Sequence, residues 1–189
     1  MARPKAGDKR TAILNAAAIA IAKEGVSAST AKIAKRAGVA EGTLFIYFAN
    51  KDDILKQLFI EIKRELYEVI GDAFPHHSAA DVQALHFWNR YLDWGLANTQ
   101  KRRALEQLAV SDRIGQDVKE QTERDSFGCR DVLTKHLATG ALNAVSPTFA
   151  VAIMSALAEA TLEFIAKEPE SAENFRNAGF AAFWRATGA

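Results

Sequence analysis

The sequence predicts an all-α fold of about nine helices, on three observations. Ala and Leu dominate beside Glu, Lys and Arg, all good helix formers, and proline occurs only 4 times in 189 residues. No β-branched run alternates its faces. Apolar residues instead recur every three or four positions, between glycine, serine and proline punctuation. Hydrophobic residues make up 49% and charged residues 25%, a balance that fits a soluble chain with a sizeable core.

The elements follow in order. A first helix is expected from about Asp8 to Lys23, with Ile13, Ala17 and Ile21 on its buried stripe and Gly25 closing it. Ser29 or Thr30 caps a second, which stops at Gly38. A third spans roughly Glu41 to Phe48. Asn50, with Asp53 three residues on, opens a fourth that reaches about Phe74, and Ile54, Leu58, Ile62, Leu66 and Ile70 fall every four residues along it. After a break at Pro75-His76-His77, Ser78 and Asp81 form a capping pair for a fifth, to about Ala97. A sixth covers about Lys101 to Val110, and a seventh runs from about Gly115 to Ala138, ending at Gly140. Ser146-Pro147 starts an eighth, to about Lys167, and Ser171 a ninth, to about Ala186.

The chain's net charge of +1 conceals an asymmetry. Residues 1–51 hold nine basic side chains against three acidic ones; the remainder holds fifteen basic against twenty acidic. A basic first quarter on an acidic body suggests that the first segment meets a polyanion, although clustering on a solvated face would look the same. The start is basic and then Ala-rich, as in a secretory signal, but Asn15 interrupts the apolar run and Lys23, Glu24 and Gly25 follow it. No apolar run reaches the ~18 residues of a membrane span. The single cysteine, Cys129, excludes an intrachain disulfide and fits a reducing cytoplasm, where the protein is expected to reside with no membrane partner.

Helices two and three are each too short to hold in water alone and must dock on helix one and the start of helix four. Gly38-Val39-Ala40 between them has the length of a helix-turn-helix linker. In that motif the second helix enters the DNA major groove by its N-terminal end. Gly42 and Thr43 are small enough for close approach, and the Thr43 hydroxyl and methyl suit base edges. Tyr47, one turn on, can set its hydroxyl on a phosphate. Phe45 and Phe48 are expected to pack onto helices one and two.

The stretch STAKIAKRAGVAEGTLFIYFANKDDIL, residues 29–55, resembles the signature of tetracycline-repressor-like (TetR family) transcription regulators. The matching features are Ile33-Ala34, Ala37-Gly38-Val39, Gly42-Thr43-Leu44, an aromatic residue, Tyr47-Phe48, and Lys51 before an acidic pair. The resemblance implies a homodimer: a helix-turn-helix head over residues 1–50 for a palindromic double-stranded DNA operator, and a body over residues 51–189 for a small-molecule effector and dimerisation. By motif position Ser29, Tyr47 and Lys51 look like phosphate contacts, and Thr30 is expected among the DNA-binding residues. Glu41, Gly42, Thr43, Leu44 and Ile46 are similar to the groove-facing set. The chain departs from the family at Phe45, where tyrosine is usual, and at Glu41, where a small polar or basic residue is common. An acid there can accept from a cytosine amino group, or only favour the helix N-terminus through the dipole.

Aromatic residues concentrate in the body. Trp88 and Tyr91 share a face of helix five, and Phe127 lies on helix seven. Such stripes fill cores, or they line an effector pocket to which Gln107, Thr122 and Ser126 could add polar contacts. Helix eight gathers Phe149, Ile153, Ala156, Ala160 and Phe164 near one face. Helix nine carries Phe175, Ala178, Gly179 and Ala182 on one side and Phe180, Phe183 and Trp184 on another. A terminal helix apolar on most sides calls for a partner chain, so these residues are expected at a dimer interface.

Nothing here reads as an enzyme. His76, His77, His86, His136 and Cys129 have no recognised zinc spacing, and no phosphate-binding glycine loop or nucleophile elbow occurs. No metal and no cofactor are expected. The sequence reads as a one-component repressor released by a small hydrophobic or aromatic effector. The rival reading is a helical ligand carrier or protein-interaction module without DNA binding.

Overall fold

The computed structural model describes residues 6–124 and 147–186. Among them the chain forms nine α-helices, one short 3-10 turn and no strand. They are α1 (Ala6–Glu24), α2 (Thr30–Ala37), α3 (Glu41–Tyr47), α4 (Lys51–Gly71), α5 (Ala80–Ala97), α6 (Thr99–Ala109), α7 (Gln116–Arg124), α8 (Pro147–Lys167) and α9 (Ala172–Ala186), with the 3-10 turn Pro169–Ser171 before α9. The expected far half of helix seven, with Ser126, Phe127, Cys129 and His136, lies outside the described residues.

The chain divides into two compact units. The first comprises residues 1–65 and 98–124, the second residues 66–97 and 125–189. In the first, α1 packs against both α2 and α6, and α2 against α3. Ile13, Ala17 and Ile21 are fully buried, as their spacing predicts, and Ala16, Ala18 and Ala20 are buried beside them. A helix this rich in alanine lets two neighbours approach its axis closely.

The turns are closed by backbone chemistry that the sequence announces. Gly25 and Gly38 both sit in the left-handed region, at φ +79° and +69°. The Gly25 N–H donates to the Ile21 carbonyl at 2.8 Å. After Gly38, the Val39 N–H reaches back to the Ala34 carbonyl at 3.0 Å, a Schellman-type closure of α2. At the start of α4 the Asn50 side chain accepts from the Asp53 N–H at 2.9 Å. Asp53 returns the favour by accepting from the Ala49 N–H, also at 2.9 Å.

In the second unit α5, α8 and α9 pack on one another. Trp88 is the centre of that packing. Its ring stacks on Phe183 with centroids 6.0 Å apart and planes at 6°, and its indole N–H donates to the Arg176 carbonyl at 3.1 Å. The expected Ser78–Asp81 start of α5 gives way to a different fastening: α5 begins at Ala80, and the buried Gln83 amide donates to the His76 and Ser78 carbonyls at 2.9 Å each. On α9, Gly179 faces α8 and α5 at close range. A β-carbon on it would lie 2.4 Å from Thr161 Oγ1 and 2.8 Å from Trp88 Cζ2.

Gly179→Ala is therefore expected to destabilise the protein by about 1–3 kcal/mol, the usual range for overpacking a filled site. Urea unfolding of the two proteins, fitted with a common slope, measures the difference.

Candidate nucleic-acid interface

α2, the turn at Gly38 and α3 present a surface built from short local rules. Ser29 caps α2, its hydroxyl accepting from the Lys32 N–H at 3.3 Å. α2 buries only Ile33 and Ala34 and leaves Lys32, Lys35 and Arg36 exposed, a basic outer face. Lys32 also pairs with Glu24 at 2.5 Å.

α3 is seven residues long, and its cap position, Ala40, supplies no side-chain hydrogen bond. One residue fixes its rotation: Leu44 is fully buried. This corrects the expectation that Leu44 belongs to the groove-facing set, because a side chain with no accessible surface reads nothing. With Leu44 inward, the 100° step of a helix puts Gly42 and Ile46 outward on the opposite side. Ile46 is 77% exposed, and a β-carbon on Gly42 would meet nothing within 4 Å. The expectation that Phe45 packs inward also fails: it is 48% exposed, and only Phe48 enters the core. Arg10 lies over the Phe48 ring, 5.5 Å from its centroid, and donates to Gln57 at 2.9 Å.

Thr43, Tyr47 and Lys51 are half-buried at the edges of this surface. Glu41 is exposed but engaged: it accepts a hydrogen bond from the Thr30 hydroxyl at 2.5 Å. That bond ties the first turn of α3 to the first turn of α2. It was not anticipated, since eleven residues separate the pair and no local pattern announces it. Nearby acids are similarly occupied, Asp52 by Arg113 at 2.6 Å and Asp53 by the Ala49 N–H.

The sequence model described as bacterial regulatory proteins, tetR family, matches residues 13–58, which is this surface and its supports. Over this segment the chain is similar to the tetR family of bacterial regulatory proteins. A TetR-family transcription regulator from Shewanella sp. PV-4 has the same fold, with TM-score 0.78 and 29% identity over 94% of this chain and 97% of that one. The fatty acid metabolism regulator protein of Bacillus subtilis is 52% identical over 81 residues, which is 40% of this chain and 42% of that protein's length. The transcriptional regulator FadR from Bacillus subtilis, solved in complex with stearoyl-CoA, shares the fold at TM-score 0.64 and 20% identity, over 92% of this chain and 96% of that one.

Outside the matched segment, the residues expected at an effector pocket do not gather in one unit. Trp88 and Tyr91 belong to the second unit and Gln107 and Thr122 to the first, while Phe127 lies outside the described residues. Trp88 is buried in the α5–α8–α9 packing, the core alternative of the two left open for it. The Tyr91 hydroxyl donates to Glu159 at 3.4 Å. The Thr122 hydroxyl donates to the Lys119 carbonyl at 2.9 Å. Gln107 borders an open depression of about 700 Å³ with Val26, Val110, Ser111, Asp112 and Arg113. Among the described residues no group of three His, Cys, Asp or Glu side chains stands close enough to hold a metal ion, and no helix is long and apolar enough to cross a membrane.

The residues expected at a dimer interface separate into two sets. Phe149, Ala156, Ala160 and Phe164 on α8, and Ala178 and Ala182 on α9, are exposed. Ile153 and Phe175 are partly covered, and the Phe175 ring lies 5.4 Å from that of Phe164. Gly179 is the correction: it faces Thr161 and Trp88 within its own chain, not outward.

Because Glu41 is held by Thr30, Glu41→Gln is expected to raise affinity for every duplex alike, by removing a negative charge near phosphates. The ranking of bases at each operator position should not change. Binding titrations on specific and scrambled duplexes check this, and a loss confined to C-containing sites would instead assign Glu41 to cytosine.

Proposed function

We propose that this protein is a one-component transcriptional repressor, with a DNA-reading head over residues 1–50 and an effector and dimerisation body over residues 51–189. It acts in the cytoplasm, binds a palindromic operator as a homodimer and is released by a small hydrophobic or aromatic effector. The observation that carries this reading is the outward face of α3 beside the exposed Lys32, Lys35 and Arg36, with Leu44 and Phe48 locked in the core behind it. A basic rim attracts the phosphate backbone, and a bare glycine backbone allows the helix to enter a groove. Ser29, Thr30, Tyr47 and Lys51 are the phosphate contacts in this reading.

The dimer forms on the exposed apolar stripe of α8 and α9, with Phe149, Ala156, Ala160, Phe164, Ala178 and Ala182 against the same residues of a second copy. Burying such a stripe is favourable at roughly 25 cal/mol per Å² of apolar surface. A dimer that reads a palindrome would hold its two α3 helices one DNA turn apart, about 34 Å, to match half-sites.

The effector signal travels along α4. This single helix contributes residues 51–65 to the first unit and 66–71 to the second, and Ile54, Leu58, Ile62, Leu66 and Ile70 bury one stripe along its whole length. A molecule that shifts α4 in the body moves its other end, where Lys51 and the Asp52–Arg113 pair adjoin the head. Lowering operator affinity 5- to 150-fold takes about 1–3 kcal/mol of coupling. Long-chain acyl-CoA is the first effector to try, given the stearoyl-CoA bound by the Bacillus subtilis FadR structure.

Selection from a random duplex library at near-physiological salt is expected to return a palindrome, and a recovered pool without symmetry would count against a dimeric reader. On that operator, Lys51→Ala should weaken binding across sequences and flatten the salt dependence by about one unit of slope per protomer. Phe164→Glu should convert the dimer to monomer in sedimentation velocity and abolish operator binding while the helical circular dichroism signal persists.

A further inference from the structure

The reading face of α3 has an unusual chemistry. Its outward centre is Ile46 above Gly42, and Phe45 flanks them. A helical side chain leans toward the N-terminus, so Ile46 extends on the same side of the helix as Gly42, where a β-carbon would still meet nothing within 4 Å. The helix carries no Arg, Lys, Asn or Gln. Those are the side chains that make bidentate hydrogen bonds to guanine and adenine edges in the major groove. Its one carboxylate, Glu41, accepts from Thr30. What remains to meet a base edge is apolar surface and the half-buried Thr43.

One feature of the major groove is apolar, the C5-methyl group of thymine. We propose that α3 selects its operator by packing Ile46 and Phe45 against thymine methyl groups, and not by hydrogen-bonding purine edges. The proposal rests on the DNA-binding reading above and names the chemical group which that site recognises. The surroundings favour DNA over an apolar protein partner: α2, which packs on α3, exposes Lys32, Lys35 and Arg36, and the acids Glu24, Glu41, Asp52 and Asp53 are each already engaged within the chain.

The test replaces thymine by uracil, which removes only the methyl group and keeps every hydrogen-bonding atom. Each thymine of the selected operator is replaced in turn, and affinity is measured with the full-length protein. Loss of about fourfold is expected at a contacted thymine, and about fifteenfold when its symmetry mate is replaced too, from the transfer energy of one buried methyl-sized group each. 5-Methylcytosine in place of thymine presents the methyl at the same groove position and should bind more tightly than cytosine there. Ile46→Ala or Phe45→Ala should weaken binding to the thymine operator and erase the uracil penalty at the base each side chain covers. Both residues are exposed, so the variants should unfold like the parent. A fully uracil-substituted operator bound as tightly as the thymine one overturns the proposal while leaving the DNA-binding reading intact. So does a uracil penalty that survives in both variants. Failure to bind any duplex specifically, uracil or thymine, would overturn the DNA-binding reading itself and this proposal with it.

Discussion

The burial of Leu44 is the constraint on which the proposed reading surface depends. A helix of seven residues without a side-chain cap has no means of staying folded in water. It is helical because one leucine has a core to enter, with Phe48 following at the C-terminal end. The same burial sets the rotation of α3 about its axis. Gly42 and Ile46 are outward because Leu44 is inward, and Glu41 comes within reach of Thr30. Position, orientation and chemistry of the surface thus follow from a single apolar contact.

The supports of α3 are rigid for reasons of the same local kind. The left-handed Gly38 turns the chain sharply enough for α3 to lie against α2. The Asp53 N–H bond to the Asn50 side chain and the Ala49 N–H bond to the Asp53 carboxylate start α4 at a defined residue. Arg113 grips Asp52 from the segment after α6, although both side chains are largely exposed and such a pair contributes little to stability. Its role is positional: it gives the first turn of α4 a neighbour outside the helix-turn-helix.

The buried faces of the long periodic elements were legible in the sequence; of the short α3 the bounds were legible but the buried face was not. The stripe of α1 has three members and that of α4 has five, enough to define which face is buried, and both are buried as read. Glycine at the ends of α1 and α2 marked closures that the backbone dihedrals bear out. In α3 the run Leu44-Phe45-Ile46-Tyr47-Phe48 is apolar throughout, so hydrophobicity could not set its phase, and Leu44 and Phe45 were exchanged between inside and outside. Gly179 failed for another reason. A small residue allows close approach, but whether the approaching helix belongs to the same chain or to a second copy is a tertiary fact. The Thr30–Glu41 bond is tertiary too, joining two helix starts that only the turn at Gly38 brings together.

The compact unit that holds the reading surface is not continuous in the chain. Residues 98–124 return to it after the excursion through residues 66–97, and α6 covers part of α1. The N-terminal segment is therefore a poor module for cut-and-paste exchange. A chimera that grafted it onto a foreign body would strip α6 from the small side chains of α1, exposing an apolar face that evolved to be covered. Recombination between relatives would meet the same obstacle, so the specificity proposed for α3 is more readily changed by point substitution there than by exchanging the N-terminal segment.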